Sequence, residues 1–234
     1  MWSKMMEDII NYLRKVRRGA MFLIEAPSGT GKGTVIKELM KRDDKLKFSV
    51  SVTTRPPRYN EVDGVDYYFI TDEQYEKYKE EGAFYEYVDS QYGNRYGTLR
   101  SEVDSFLNIG EDVIFDIDWE GARQMREKAP DDVVTIYMLP PSIKEVRERL
   151  ENRGTDSREV IEKRMNMVVD KISHWKEFDY VVVNVNLEDT VEKIRRIISG
   201  ERMKRVRQLP GLEKFVSELY EEAAAAKEMT ACKK

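Results

Sequence analysis

The sequence predicts an α/β fold in which a parallel sheet is flanked on both faces by helices. Three observations carry the prediction. The runs Met21-Phe22-Leu23-Ile24, Val113-Ile114-Phe115-Asp116-Ile117-Asp118, Val133-Val134-Thr135-Ile136-Tyr137-Met138-Leu139 and Tyr180-Val181-Val182-Val183-Asn184 are near-continuously apolar, the mark of strands buried on both sides. Helical patterns separate them, including Ser142 to Glu151 and Arg158 to Lys171. A glycine-rich turn follows the first run, and alternating strands and helices place ligands at the carboxyl ends of the strands.

Composition narrows the setting. At 234 residues the chain can bury a sizeable core as one domain with subdomains. Its net charge of −4, with 36% charged residues, argues against a general nucleic-acid or anionic-membrane surface, so anion sites must be local. The single cysteine, Cys232, lies in a polar tail, which excludes a disulfide framework and predicts a reducing, cytoplasmic setting. No apolar run approaches the roughly 18 residues of a membrane span. Cys and His at metal-site spacing are absent, which excludes structural zinc.

In chain order, residues 1–18 come first. Trp2, Met5, Met6, Ile9, Leu13 and Val16 recur at helical spacing before the basic Arg14-Lys15-Val16-Arg17-Arg18. A secretory signal carries its charges ahead of the apolar stretch, and a transit peptide lacks acids such as Glu7 and Asp8. The expectation is an extra amphipathic helix docked on the body or on a second subunit, with reversible membrane contact as the minor alternative.

Next comes Ala26-Pro27-Ser28-Gly29-Thr30-Gly31-Lys32-Gly33-Thr34 between a strand and the helical Thr34 to Met40. Small residues let successive backbone N–H groups converge on phosphate oxygens, the helix turns its positive end toward them, and Lys32 adds a point charge for the β and γ phosphates. This is a triphosphate-binding loop with two departures: Ala26 holds the first glycine position and Gly33 the hydroxyl position. Gly33 has no side chain to ligate a metal, so any metal would rely on nucleotide oxygens, water, or indirectly Thr34.

Residues 48–100 differ in composition, being rich in Ser, Thr, Tyr, Arg and Gly. Thr53-Thr54-Arg55-Pro56-Pro57-Arg58 sets two guanidinium groups three residues apart on a proline-stiffened stretch, each able to present a planar fork to a phosphate. Glu61, Gly64, Tyr67, Phe69, Glu86, Tyr96, Gly97 and Thr98 follow. Read singly, each is equally a loop or packing residue.

Read together with the phosphate loop, they resemble the guanylate kinase family. The spacing of Thr53-Thr54-Arg55, Arg58, Glu61, Gly64, Tyr67 and Phe69-Ile70 matches that family's signature throughout. The resemblance runs from about Gly19 to Gln208 and includes Gly93-Asn94-Arg95-Tyr96-Gly97-Thr98, Asp116-Ile117-Asp118-Trp119-Glu120-Gly121-Ala122, Leu139-Pro140-Pro141-Ser142 and Arg153-Gly154-Thr155-Asp156-Ser157. It implies a P-loop nucleoside monophosphate kinase fold converting ATP and GMP to ADP and GDP with Mg2+. It further implies a core (19–47 and 101–208), a GMP-binding subdomain (48–100) and a lid (about 151–162), with 209–234 left as a C-terminal helix and tail.

On matching positions, Arg55, Arg58, Tyr67 and Tyr96 would hold the GMP phosphate, and Ser51, Glu86, Thr98 and Asp118 would face the guanine, with Gly97 and Asp116 in the same site. Guanine offers N1–H and an amino group as donors and O6 as acceptor; adenine would leave these groups mispaired, a discrimination on the order of 10⁴-fold. Ala26 to Thr34 and Asn184 would bind ATP, although Val185 and Asn186 stand where the family pattern expects acids. Lys32, Arg55, Arg153 and Arg164 are the catalytic expectation, with Arg149 a third clamp; the alternative for Arg149, Arg153 and Arg164 is a charged helix face pairing with Glu148, Glu151 and Glu162. Asp116 is either an organiser of metal-bound water or a strand-end carboxylate bonded to backbone. His174, the sole histidine, reads as a packing or solvated residue. Leu212, Phe215, Val216, Leu219 and Tyr220 share one face of a tail helix from Gly211 to Lys227, which could pack on the body or on a second subunit. The other readings are a non-catalytic scaffold module of the same fold, another nucleoside monophosphate kinase, and a plain P-loop hydrolase.

Overall fold

The computed structural model describes residues 12, 16–89, 93–152 and 157–231. Among these, β1 (Met21–Glu25), β2 (Leu46–Phe48), β7 (Asp112–Asp116), β8 (Val133–Leu139) and β9 (Tyr180–Val183) form a parallel sheet in the order β2-β7-β1-β8-β9. The three central apolar runs are where the sequence pattern places them. Because side chains alternate along a strand, β1 sends Phe22 and Ile24 to one face and Met21 and Leu23 to the other.

Each face has its own core. On the first, Val35, Ile36 and Leu39 of α1 (Lys32–Arg42) and Val191, Ile194 and Ile198 of α7 (Leu187–Arg202) close over the sheet. On the second, Val103 and Leu107 of α3 (Arg100–Leu107) and Ala122 and Met125 of α4 (Trp119–Lys128) do so. Double coverage explains why these strands read as unbroken apolar runs.

A second, mixed sheet is inserted between β2 and β7. It comprises β3 (Val52–Thr53), β4 (Tyr68–Phe69), β5 (Phe84–Asp89) and β6 (Arg95–Leu99) in the order β4-β3-β6-β5. β3 runs parallel to β4 and antiparallel to β6, and β6 is antiparallel to β5 with Glu86 opposite Thr98. Its small core is Val52, Phe84 and Tyr75, the last from α2 (Asp72–Glu80), which starts with a reciprocal Thr71–Gln74 capping box. Gly97 is a packing requirement here, since a Cβ would lie 2.9 Å from the Phe84 ring.

α5 (Ile143–Asn152) and α6 (Arg158–Ser173) pack together through Val146, Leu150, Ile161 and Val168. Residues 153–156 of the expected lid lie outside the described residues. α8 (Arg205–Ala231) runs unbroken through positions 208 and 209 with Pro210 inside it, so it begins earlier than the expected tail helix. Of its expected apolar face, Leu212 and Phe215 are half-buried and Val216, Leu219 and Tyr220 exposed.

Most of the N-terminal pattern, including Trp2, Met5, Met6, Ile9 and Leu13, lies outside the described residues. Its basic end is committed to the body. Arg17 makes a bidentate pair with buried Asp112, both bonds 2.7 Å, and Arg18 pairs with Asp132 at 2.6 Å. No helix among the described residues is long and apolar enough to cross a membrane.

Candidate active site

The phosphate loop leaves the carboxyl end of β1 and enters α1. Gly29 (φ 80°) and Gly31 (φ 96°) take the left-handed conformation that side chains disfavour, and this lets the loop fold back tightly enough for Thr30 N–H to donate to Pro27 O at 3.1 Å. Ala26, Pro27 and Thr30 are buried, Ser28 and Gly29 half-buried, and Gly33 and Thr34 exposed. A Cβ on Gly33 would meet nothing within 4 Å, so that position is open space beside the helix start.

Two side chains brace the loop from below. Asn184 Nδ2 donates to Thr30 O at 2.6 Å while its Oδ1 accepts from Thr190 Oγ1 at 2.9 Å. Its amide, expected beside adenine, is thus spent on the loop. Arg149 donates to the same carbonyl at 3.1 Å and pairs with Glu145 at 2.9 Å. Its acidic partner is the residue one turn back, rather than Glu148, Glu151 or Glu162; Glu162 pairs with Arg147 instead. Arg164 is half-buried on α6, and Arg153 lies outside the described residues.

Lys32 Nζ lies 2.6 Å from Asp116 Oδ1 and 3.4 Å from Glu25 Oε2. Asp116 is therefore neither free nor merely bonded to backbone: it holds the loop lysine. It also lines a cleft of about 410 Å³ between the two sheets. Ser51, Tyr67, Glu86, Tyr96, Thr98 and Asp118 line the same cleft, so seven of the ten expected acceptor-site residues converge there.

Glu86 is 7% exposed, and burial pushes its carboxyl above the ordinary range. Thr98 Oγ1 donates to it at 2.7 Å, as the Glu86–Thr98 register requires. Asp118 caps α4 by accepting from Gly121 N–H at 2.9 Å through Oδ1. Gly121 lies beneath Glu86, its would-be Cβ 3.4 Å from Oε2.

Arg55, Arg58 and Gly97 do not line the cleft. Arg55 is buried and makes a fork-to-fork pair with Glu61, at 2.6 and 2.7 Å, with its guanidinium 4.9 Å from the Tyr67 ring centre. Arg58 is exposed, and its backbone N–H donates to Glu61 at 2.9 Å. These two partners pull the Glu61 carboxyl down to about 2, Arg55 most strongly. Glu61 thereby links both arginines, a role its spacing alone did not disclose.

Three further residues escaped the sequence reading. Glu25 and Lys171 lie behind Lys32, and Gln124 clamps the backbone of Tyr87 beside the cleft, accepting from its N–H at 3.2 Å and donating to its carbonyl at 3.0 Å. Only Glu25 left a signal, as a lone charge ending an apolar strand. His174 stacks on Trp119 at 4.0 Å and bonds Glu177 at 2.8 Å, a packing role.

Asp116 touches both the loop lysine and the acid-floored cleft, so a glycine-rich loop with its lysine and a cleft rich in hydrogen-bond acceptors adjoin at the strand ends. That layout is the one found in P-loop nucleoside monophosphate kinases. A family model described as guanylate kinase matches residues 18–201. A guanylate kinase of Zymomonas mobilis is 46% identical over 206 residues, covering 88% of this chain and 94% of the relative. One of Novosphingobium aromaticivorans is 48% identical over 200 residues, covering 86% and 90%. The crystal structure of guanylate kinase from Anaplasma phagocytophilum superposes with a TM-score of 0.64 at 32% identity, covering 82% of this chain and 90% of that one. The chain belongs to the guanylate kinase family.

Proposed function

We propose that this chain transfers the γ-phosphoryl group of ATP to GMP, giving ADP and GDP. The observation that carries the reading is the buried Glu86, held by Thr98, in a cleft that reaches the loop lysine through Asp116. A carboxylate on that floor accepts from guanine N1–H and its amino group, and Asp118 and Ser51 add polar contacts along the same edge. Arg55, Arg58, Tyr67 and Tyr96 meet the acceptor phosphate.

An oxygen of that phosphate attacks the γ-phosphorus as the bond to the β–γ bridging oxygen breaks, and ADP leaves. Such transfer needs positioning and charge neutralisation more than covalent help. The loop from Ala26 to Thr34 supplies backbone N–H groups. Lys32 exchanges Asp116 for the β and γ phosphates, and Arg149, Arg153 and Arg164 approach from the lid side. Closure of the lid, about 151–162, excludes water that would otherwise accept the phosphoryl group.

The donor set suits Mg2+. Among the described residues no cluster of three or more His, Cys, Asp or Glu could hold a metal. Asp116, beside Lys32, and Thr34 are exposed residues with hard oxygen donors, and Gly33 leaves open space, which fits an ion that keeps phosphate and water ligands. When bound, Mg2+ would neutralise charge building on the phosphate oxygens. We also read the division into extension (1–18), kinase body (19–208) and tail (209–234), use of dGMP, and a cytoplasmic setting as parts of this proposal. The intact Lys32 and furnished cleft favour catalysis over a binding-only scaffold.

The test is ADP formation from ATP with GMP, dGMP, AMP or no acceptor. Turnover should require a guanine nucleotide and vanish in Lys32→Met. Turnover without acceptor, or preference for AMP, refutes the reading.

A further inference from the structure

β1 is apolar through Ile24 and then ends on a carboxylate that is 1% exposed, Glu25. A carboxylate so placed must be compensated, because stripping it of water costs several kcal/mol that only close opposite charge offsets. Two ammonium groups do this: Lys32 Nζ is 3.4 Å from Oε2 and Lys171 Nζ is 3.4 Å from Oε1. Burial, with a smaller push from the Asp118 carboxylate, raises the Glu25 carboxyl above its ordinary range, and the two lysines offset only part of that rise. Lys171 arrives from α6, and its backbone carbonyl accepts from the Tyr137 hydroxyl at 2.6 Å, which fixes that end of α6 against β8.

The charges explain why two lysines are needed. Lys32 is gripped by two carboxylates, Glu25 and Asp116. With only those three groups, the floor of a triphosphate site would carry a net negative charge. Lys171 brings the four-group sum to zero, and once Lys32 leaves Asp116 for a nucleotide, the trio of buried Glu25 and half-buried Lys32 and Lys171 is net positive.

We propose that Glu25 and Lys171 are a positioning pair for Lys32. Glu25 fixes the ammonium group from beneath the loop, and Lys171 cancels the charge that Glu25 would otherwise set against the incoming triphosphate. The pair also couples α6, which carries Arg164, to the phosphate loop. The inference rests on the reading of Lys32 as the ATP-phosphate contact.

The experiment measures kcat and both KM values for full-length Glu25→Gln, Lys171→Met and the double variant, with Lys32→Met and thermal melting alongside. Lys171→Met, which leaves Lys32 between two carboxylates, should raise KM for ATP about tenfold with KM for GMP unchanged. Glu25→Gln should lower kcat about tenfold without raising KM for ATP, because the second lysine still attracts phosphate. The double variant, having lost one charge of each sign, should recover KM for ATP. If Lys32→Met is inactive while both single variants keep native kcat and KM, or only melt earlier, the positioning role is overturned. Additive losses in the double variant overturn it too. If Glu25→Gln does not fold, Lys171→Met and the double variant decide the question. An active Lys32→Met would instead strike at the nucleotide-site reading itself.

Discussion

Glu102→Gln should stabilise the protein above neutral pH while leaving acid stability nearly unchanged. Glu102 sits in the first turn of α3, where the chain leaves the second sheet. Burial raises its carboxyl from its ordinary 4.5 to about 7, against the opposing pull of the Val50 backbone N–H and the Tyr68 hydroxyl. Its Oε2 is buried with no hydrogen-bond partner among the described residues. Because the folded pKa lies above the unfolded one, the folded state keeps a proton between about pH 4.5 and 7 that the unfolded state has released. Stability therefore falls as pH rises through that window and stays low above it. At about 1.36 kcal/mol per pH unit, the rise comes to roughly 3 kcal/mol, which solvent reaching this half-buried group reduces to about 2. Glutamine keeps an acceptor for Val50 and Tyr68 and carries no charge at any pH. Urea unfolding at pH 5, 6, 7 and 8 should show the variant-minus-wild-type difference growing by about 2 kcal/mol from acid to base. A difference that stays flat across that range refutes the reasoning.

Two other outcomes follow from the same accounting. Glu86→Gln should raise KM for GMP at least about tenfold with KM for ATP unchanged, since it replaces an acceptor pair facing two guanine donors with one acceptor and a donor; steady-state kinetics with each nucleotide varied decides it. Asp112→Asn should cost about 3 kcal/mol in chemical denaturation, because buried Arg17 at 2.7 Å loses its counter-charge, while Arg202 keeps Asp43 at 2.7 Å. Asp112 starts β7, at the end of the sheet away from Asp116, so kcat should persist wherever the variant stays folded.

The parallel sheet was legible because burial on both faces writes itself directly into sequence as unbroken apolar runs. The second sheet was not. Its β3 and β4 are two residues each, too short for a period-2 pattern, and they are held by pairing with β6 and by the Tyr75–Phe84 core. The phosphate loop was visible from glycine spacing, since Gly29 and Gly31 must take positive φ. The supporting roles of residues that act through others were not visible. Lys171 reaches Glu25 across 146 positions, and Asn184 reaches Thr30 across 154, distances over which no local pattern operates. Arg149 carried two readings in sequence, a clamp on phosphate and a helix-face cation; the structure pairs it with Glu145 on its own helix and with the Thr30 carbonyl of the loop.

The two cations proposed to meet phosphate share a design. Lys32 is held by Asp116 and Glu25, and Arg55 by Glu61. In each case a carboxylate fixes the side chain before any phosphate arrives, which lowers the ordering cost of binding. The cost reappears as competition, since a phosphate must either displace the carboxylate or use what it leaves free. For Lys32 displacement is available, because Asp116 is 44% exposed and can turn to solvent while Glu25 stays behind. Arg55 is more enclosed. Both terminal nitrogens are bound by Glu61 and one of them also by Pro56 O, while Nε is buried with no partner among the described residues, so a phosphate gains that donor only when the side chains covering it move. The planar fork that the sequence suggested for phosphate is thus turned toward Glu61. On the proposed reading, the acceptor phosphate therefore either opens the cover over Nε beside Tyr67 and Tyr96 or competes with Glu61 for the fork.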